Sequence, residues 1–467
     1  MDYDVAIIGA GTGGYVAAIK AAQMGKKVAI IEKRDLGGVC LNRGCIPTKT
    51  LLKSAEKWQE VTHCSDFGIF VSEAAYDWEK IKNRKDDVIH QLRSGIEKLL
   101  DANKVTMLVG EATIKDAHNI HIQPDNPDGF MDISAENIII ATGSSPAKPP
   151  IPGIKTLGVI TSDDLLKLDE VPQSLLIVGA GVIGLEFAGI YAGFGCQVTV
   201  VEMTPSILPP SDIDMQRRMN VALRKQFITV KTNAAVKEIK TGVEGLNVSV
   251  ESRGKTEVLT AEKVLIATGR TPNINQDELN KLGVAFTRKG ITVNEKMETS
   301  VPGIYAIGDV TGMSMLAHSA AHMGIVAAEN ICGTAAKMDY SAIPSCIFTT
   351  PEIAAVGLTE QECKAQNLDV KISKFNFAGN GKALTMGETD GLVKLIADAK
   401  THKIVGCHIM GAHASDLIME GTLAVQQGLT AEQVATTIHP HPTLSEAVDE
   451  AALGLFGQMI HQVTIKR

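Results

Sequence analysis

The sequence predicts an α/β protein built on two copies of one strand–turn–helix–strand nucleotide-binding unit, followed by an α+β region at the C-terminal end. Three observations carry this. Residues 4–32 read DVAIIGAGTGGYVAAIKAAQMGKKVAIIE; residues 174–202 read SLLIVGAGVIGLEFAGIYAGFGCQVTVVE; and a shorter pair, ENIIIATGSSP and EKVLIATGRTP, begins at Glu136 and Glu262. Gly9, Gly11, Gly14, Ala18, Gly25 and Glu32 recur as Gly179, Gly181, Gly184, Ala188, Gly195 and Glu202 at a constant offset of 170 (179 − 9). One glycine pattern is weak evidence. Turn, helix cap and acidic residue repeating together are strong evidence.

Each element has a physical reason. Val5 to Ile8 form a short unbroken apolar run, as expected of a parallel strand buried on both faces. In the G-x-G-x-x-G turn the first glycine permits the tight turn, the second lets backbone approach a pyrophosphate, and the third allows close helix–strand packing. The helix N-terminus supplies free N–H groups and a partial positive charge for phosphate. Gly25 stands where a C-terminal cap belongs. Glu32 and Glu202 end the second strand of each unit, where a carboxylate can accept from ribose hydroxyls. At Glu202 a carboxylate welcomes a free 2′-hydroxyl and repels a 2′-phosphate, and Met203, Thr204 and Pro205 provide no arginine to reverse that. The second site is therefore expected to take NAD rather than NADP. The two Ala-Thr-Gly segments read as buried strands that close a nucleotide-binding domain. GIYAIGDV then adds a strand whose end carries Asp309, placed for a cofactor's sugar-alcohol chain, with a turn-forming Asp after Gly308 as the alternative.

Bulk properties narrow the function. A chain of 467 residues exceeds one core and suggests about three domains. Hydrophobic residues make up 45% and charged residues 21%, as in ordinary globular enzymes. The net charge of −8 and 4% aromatic content argue against a nucleic-acid groove. No apolar run reaches the roughly 18 residues of a membrane span. The first residues enter a strand at once, so no signal or transit peptide is expected and a cytoplasmic location follows.

GGVCLNRGCIPTK, residues 37–49, places Cys40 and Cys45 just after the first nucleotide unit. Five residues of ideal helix rise about 7.5 Å, whereas disulfide-bonded Cα atoms lie about 4.4–6.8 Å apart. A bond here needs an irregular turn, which Gly44 makes easier, and so short a loop stabilises little. A staple is the poorer explanation. No second Cys or His pair has zinc spacing, and no metal is expected. A redox pair fits, and a flavin is a cofactor able to react with both thiolate and hydride. The other six cysteines are scattered and read as small buried hydrophobes. Near the C-terminal end, TIHPHPTLSEAVDEA holds His441 between Pro440 and Pro442, with Glu446 five residues on. A histidine titrates near the working pH and can take a thiol proton; Glu446 can orient it. His439 reads as structural or supporting.

Both glycine units, the cysteine loop, GIYAIGDV and HPTLSE together resemble the flavin-dependent pyridine nucleotide–disulfide oxidoreductases, across essentially the whole chain. The match is closest to members that oxidise protein-bound dihydrolipoyl groups with NAD. Val39 departs from the family's frequent Thr, and Arg43 is a variable spot.

The resemblance implies FAD in the first unit and NAD in the second, with Cys40 exchanging with substrate sulfur and Cys45 facing the flavin. It also implies that Lys49 lies near the flavin paired with Glu186, and that His441 serves the partner subunit of a homodimer. Lys33, Gly38, Ala112, Thr142, Gly143 and Ser144 join the glycines, Lys49 and Asp309 as cofactor-binding candidates. Ala317, Gly269 and Arg270 complete that set. The implied domains are 1–145 (FAD), 146–270 (NAD), 271–339 (completing the FAD domain) and 340–467 (interface and dimerisation). The implied partner is a lipoyl-bearing protein of a 2-oxo-acid dehydrogenase or glycine-cleavage complex. The rival readings are a reductase of another disulfide, such as glutathione, and a scaffold without catalysis. Against a glutathione-type reductase stands Glu202. Against relatives with an extra C-terminal cysteine pair stands Cys407 as the last cysteine.

Overall fold

A computed structural model describes residues 1–124 and 129–463. The chain divides into two compact units: Met1–Lys148 with Ile160–Glu170 and Thr268–Asp339, and Pro149–Val159 with Val171–Ala267 and Tyr340–Arg467.

In the first unit the apolar run of the opening segment becomes the strand Tyr3–Ile8, buried from Val5 onward. It pairs in parallel with Val28–Glu32 on one side and Met131–Ile140 on the other. Thr106–Val109 and Ile304–Ala306 extend the parallel sheet. Asn119–Gln123 and Glu111–Ile114 add an antiparallel arm. Apolar side chains on both faces explain the unbroken hydrophobic strands. The helix Thr12–Gln23 packs on the helix Ala317–Ile331 at small residues. A Cβ on Gly324 would come within 2.5 Å of the Gly13 carbonyl oxygen, so only glycine allows that approach.

The second unit repeats the theme. Thr229–Lys231, Gln197–Val201, Ser174–Val178 and Lys263–Ile266 form a parallel sheet in that order. An antiparallel sheet of Ala234–Thr241, Leu246–Ser252 and Lys255–Ala261 adjoins it in sequence. Beyond residue 340 a five-stranded antiparallel sheet, with Glu352–Gly357 and Leu392–Asp398 flanking Ile404–Gly411, carries the helices Ala414–Gln427 and Glu446–Gly454. The two parts of this unit meet at Lys394, which is buried and bonds Asp212, Asp214 and Glu360 at 2.6–2.8 Å. Three carboxylates are what make a buried ammonium tolerable. Among the described residues no helix is long and apolar enough to cross a membrane.

Candidate active site: a thiol pair beside a glycine turn

The two glycine turns have the same construction. Gly9 and Gly179 adopt φ of +104° and +110°, and a Cβ on Gly14 or Gly184 would lie 1.9 or 2.1 Å from the carbonyl oxygen of Gly9 or Gly179. The helices Thr12–Gln23 and Val182–Gly193 begin at Gly11 and Gly181 with no side-chain cap. Their first N–H groups are therefore available to an anion. Glu32 and Glu202 have a further task that sequence reasoning missed. Glu32 accepts from the Ala10 N–H at 2.8 Å and the Arg34 N–H at 2.9 Å; Glu202 accepts from Ala180 at 2.7 Å and Thr204 at 2.8 Å. Each carboxylate thus braces the turn it follows.

The turns differ in what covers them. Gly37 N–H donates to the Ala10 carbonyl, and Gly38, at φ +63°, packs so closely that its Cβ would lie 2.6 Å from the Gly11 Cα. At Gly181 an added Cβ meets nothing within 4 Å.

Gly38 begins the helix Gly38–Arg43, which carries Cys40; Gly44 breaks it at φ −142°, ψ −115°, and Cys45 opens the helix Cys45–Thr62. The irregular turn that a bond between these cysteines requires is therefore present. Both are free cysteines. They are hydrogen-bonded: the bond to Cys45, together with burial, pushes the Cys40 thiol well above its usual range. Cys45 lies at the N-terminus of an 18-residue helix with no acidic residue in the first turn, and Lys49 is one turn on. Both features favour negative charge at that position. Arg43 anchors the segment between the cysteines, with Nη1 on Asp35 at 2.7 Å and Nε 3.6 Å from Asp163.

The two Ala-Thr-Gly echoes end against each other. Ser144–Pro146 pairs antiparallel with Arg270–Pro272. Arg270 donates to the Ser144 hydroxyl and carbonyl, each at 2.7 Å, and its Nε lies 3.8 Å from Asp309 Oδ2; Ser144 Oγ also bonds Asp309. Gly143 accepts from Asn273 N–H, and Thr142 Oγ1 donates to the Asn273 carbonyl at 2.9 Å. The carbonyl of Gly269, at φ +109°, accepts from the Ala147 N–H. Sequence comparison shows the echo but not this pairing, which is a tertiary event. Asp309 stands in the turn Gly308–Thr311 directly after Ile304–Ala306. Ala317 opens a helix that also lacks a side-chain cap. On it, the buried Ser319 hydroxyl has no hydrogen-bond partner among the described residues. Lys33 instead pairs with Glu111 at 2.7 Å on the surface, and Ala112 lies half-buried in the antiparallel arm. Uncapped helix starts, glycine cradle and orphan hydroxyl fit a dinucleotide in the first unit.

In the second unit Glu186 is no surface carboxylate: it is 3% exposed and accepts from the Phe348 N–H at 3.0 Å. His441 is 78% exposed at its side chain, with Nδ1 2.8 Å from Glu446 Oε1. The other Glu446 oxygen accepts from Thr443 N–H at 2.8 Å. Burial pushes the Glu446 carboxyl up, but these two bonds outweigh it and leave it below the usual carboxylate range. A fixed carboxylate on Nδ1 leaves Nε2 as the edge offered outward. Among the described residues no group of three His, Cys, Asp or Glu could hold a metal.

The model for pyridine nucleotide-disulphide oxidoreductases matches residues 3–324, and that for the same family's dimerisation domain matches residues 343–452. The chain is 41% identical over 466 residues to dihydrolipoyl dehydrogenase of Geobacillus stearothermophilus, covering 99% of this chain and 98% of that protein. It is 42% identical over 473 residues to a dihydrolipoyl dehydrogenase of Bacillus subtilis (strain 168), covering 98% and 99%. Among solved structures, the HOCl-induced flavoprotein disulfide reductase RclA from Escherichia coli aligns with TM-score 0.86 at 29% identity, covering 96% of this chain and 99% of that one. LpdA from Mycobacterium tuberculosis aligns with TM-score 0.90 at 26% identity, covering 97% and 99%. The chain belongs to the pyridine nucleotide-disulphide oxidoreductases, a flavoprotein that works with FAD and NAD and carries the family's dimerisation domain.

Proposed function

We propose that the chain oxidises dihydrolipoyl groups borne on a separate protein and passes the electrons to NAD+. The observation that carries this is the hydrogen-bonded Cys40–Cys45 pair straddling the Gly44 break, in the same unit as the covered glycine turn. The full-length likeness to dihydrolipoyl dehydrogenases selects the substrate class.

The cycle begins with the two cysteines as a disulfide. His441 Nε2 takes a proton from one substrate thiol, and the resulting thiolate attacks Cys40 Sγ. The Cys40–Cys45 bond breaks, Cys45 leaves as thiolate, and a mixed disulfide joins Cys40 to substrate. His441 gives the first proton to solvent and takes the proton of the second substrate thiol; that sulfur then displaces Cys40, which leaves as a thiol bearing the proton returned by His441. The substrate departs as a disulfide, two electrons poorer. Bound FAD supplies the two-electron relay from the dithiol to NAD+. Gly9, Gly11, Gly14, Gly38 and the Ser144–Asp309 pair would hold it, with Cys45 and Lys49 on the side of the thiol pair. Gly179, Gly181, Gly184 and Glu202 would hold NAD, the carboxylate disfavouring a 2′-phosphate.

His441 works in the active site of a second copy, so that a homodimer is the active form. We divide the chain as 1–145, 146–270, 271–339 and 340–467 for these tasks, and place it in the cytoplasm beside a 2-oxo-acid dehydrogenase or glycine-cleavage complex. Steady-state turnover tests the reading. Dihydrolipoamide with NAD+ should exceed NADP+, glutathione and thioredoxin as alternatives by orders of magnitude. Preference for any of the rival disulfides would overturn it.

A further inference from the structure

His439 and His441 are two residues apart and opposite in setting. His441 faces outward at 78% side-chain exposure; His439 is 7% exposed. His439 Nε2 lies 2.8 Å from Glu420 Oε1, and its Nδ1 lies 2.8 Å from the Thr437 carbonyl oxygen. A carbonyl oxygen only accepts, and an ionised carboxylate only accepts. A neutral imidazole has one N–H. Both bonds can be made together only if both ring nitrogens carry a proton.

We infer that His439 is a standing imidazolium that positions the His441 loop, gripping Glu420 of the helix Ala414–Gln427 with one nitrogen and the loop's own Thr437 with the other. The inference rests on His441 being the proton carrier. The surroundings suit a cation. Asp449, on the helix Glu446–Gly454, acts on the ring electrostatically; its Oδ1 is buried with no hydrogen-bond partner among the described residues, and burial pushes its carboxyl up. Glu446 and Glu450 lie close enough to act on Asp449 in turn. The bond to Glu420 leads the causes that raise His439 above the ordinary imidazole range, against burial, with Thr437 and Asp449 adding to it. Thr443, on the far side of His441, donates its hydroxyl to the Pro440 carbonyl at 2.7 Å. The loop is therefore tied on both sides of His441, and His439 is the tie that depends on charge.

The sign follows. A raised pKa means that this tie is present in full below about pH 6.5 and is lost as pH rises through the higher folded-state value. On the alkaline side the loop loosens.

Long-range proton–nitrogen NMR of the full-length, histidine-labelled holoenzyme tests the inference, with His439→Gln assigning the signal. Two protonated ring nitrogens at pH 7.5 are expected; a neutral ring there, with the proton on Glu420, overturns it. Glu420→Gln should cut thiol-dependent turnover about tenfold and move its alkaline limb to lower pH. Electron flow from NADH to ferricyanide, which needs no His441, should stay within about twofold. His439→Arg, with a permanent charge and two N–H donors, should recover turnover at pH 9 relative to His439→Gln. An unchanged alkaline limb in Glu420→Gln, or equal loss of ferricyanide reduction, overturns the positioning role. A harmless His441→Gln would instead sink the underlying proton-carrier reading while leaving the NMR result intact.

Discussion

The two glycine turns are near copies in backbone and opposite in cover. Gly9 and Gly179 share a left-handed conformation, Gly14 and Gly184 the same contact with a carbonyl oxygen, and Glu32 and Glu202 the same pair of N–H bonds. Yet Gly11 lies against Gly38 at the start of the cysteine helix, whereas Gly181 faces open space and its neighbour Val182 is exposed. One cradle is roofed by the chain; the other is left open. The lesson is that one phosphate-binding turn can be built twice, once closed over by the cysteine segment and once, among the described residues, left uncovered at Gly181.

Substitutions at matched positions can break this contrast. The largest effect is expected at the shared contact. Gly14→Val should abolish flavin retention, read as loss of yellow colour, whereas Gly184→Val should keep the flavin and lose NADH oxidation by more than about 100-fold; each added side chain would drive into backbone. At the roof, Gly38→Ala combines a positive φ with a Cβ 2.6 Å from Gly11 and should weaken flavin binding by roughly 100-fold, about 2.7 kcal/mol. Gly181→Ala, with no protein atom in the way, should leave flavin content unchanged and raise only the KM for NAD. If both alanines released flavin equally, the roof would have no role.

Smaller effects sharpen the picture. His441→Gln should slow turnover by roughly 10²–10⁴-fold without touching either nucleotide site, as for loss of a general base. Glu202→Gln should shift the NAD-over-NADP preference by about tenfold, since a charge no longer opposes the 2′-phosphate; an unchanged ratio would remove Glu202 from cofactor choice. The smallest effect concerns acid. Because the Glu446 carboxyl sits below the usual range, its pairing with His441 is present above about pH 4.3 and lost as pH falls through the lower folded-state value. NMR titration of Glu446 should show a midpoint below that of an exposed glutamate.

The repeated turns were legible because glycine spacing, a buried parallel strand and a terminal acid are local requirements written in consecutive residues. The break at Gly44 and the His441–Glu446 pair were legible for the same reason. Contacts made by folding were not. Nothing in LGGVC announces that Gly38 will seat on Gly11, and nothing in the echoed Ala-Thr-Gly segments announces that their ends will pair and bring Arg270 to Ser144 and Asp309. Lys33 stands next to Glu32 in sequence, but it lies just past the strand's end, exposed, and pairs with Glu111. His439 and His441 look alike in sequence; only the packing of Glu420 and Asp449 separates the buried one from the exposed one.

The most direct test is an anaerobic titration of the purified flavoprotein with two electrons, followed by absorbance at long wavelength. A Cys45 thiolate beside the flavin predicts a broad band that turns the native solution from yellow to red, that Cys40→Ser shows before any electrons are added, and that Cys45→Ser lacks. A band absent from the native protein, or one that Cys45→Ser retains and Cys40→Ser loses, would contradict the assignment.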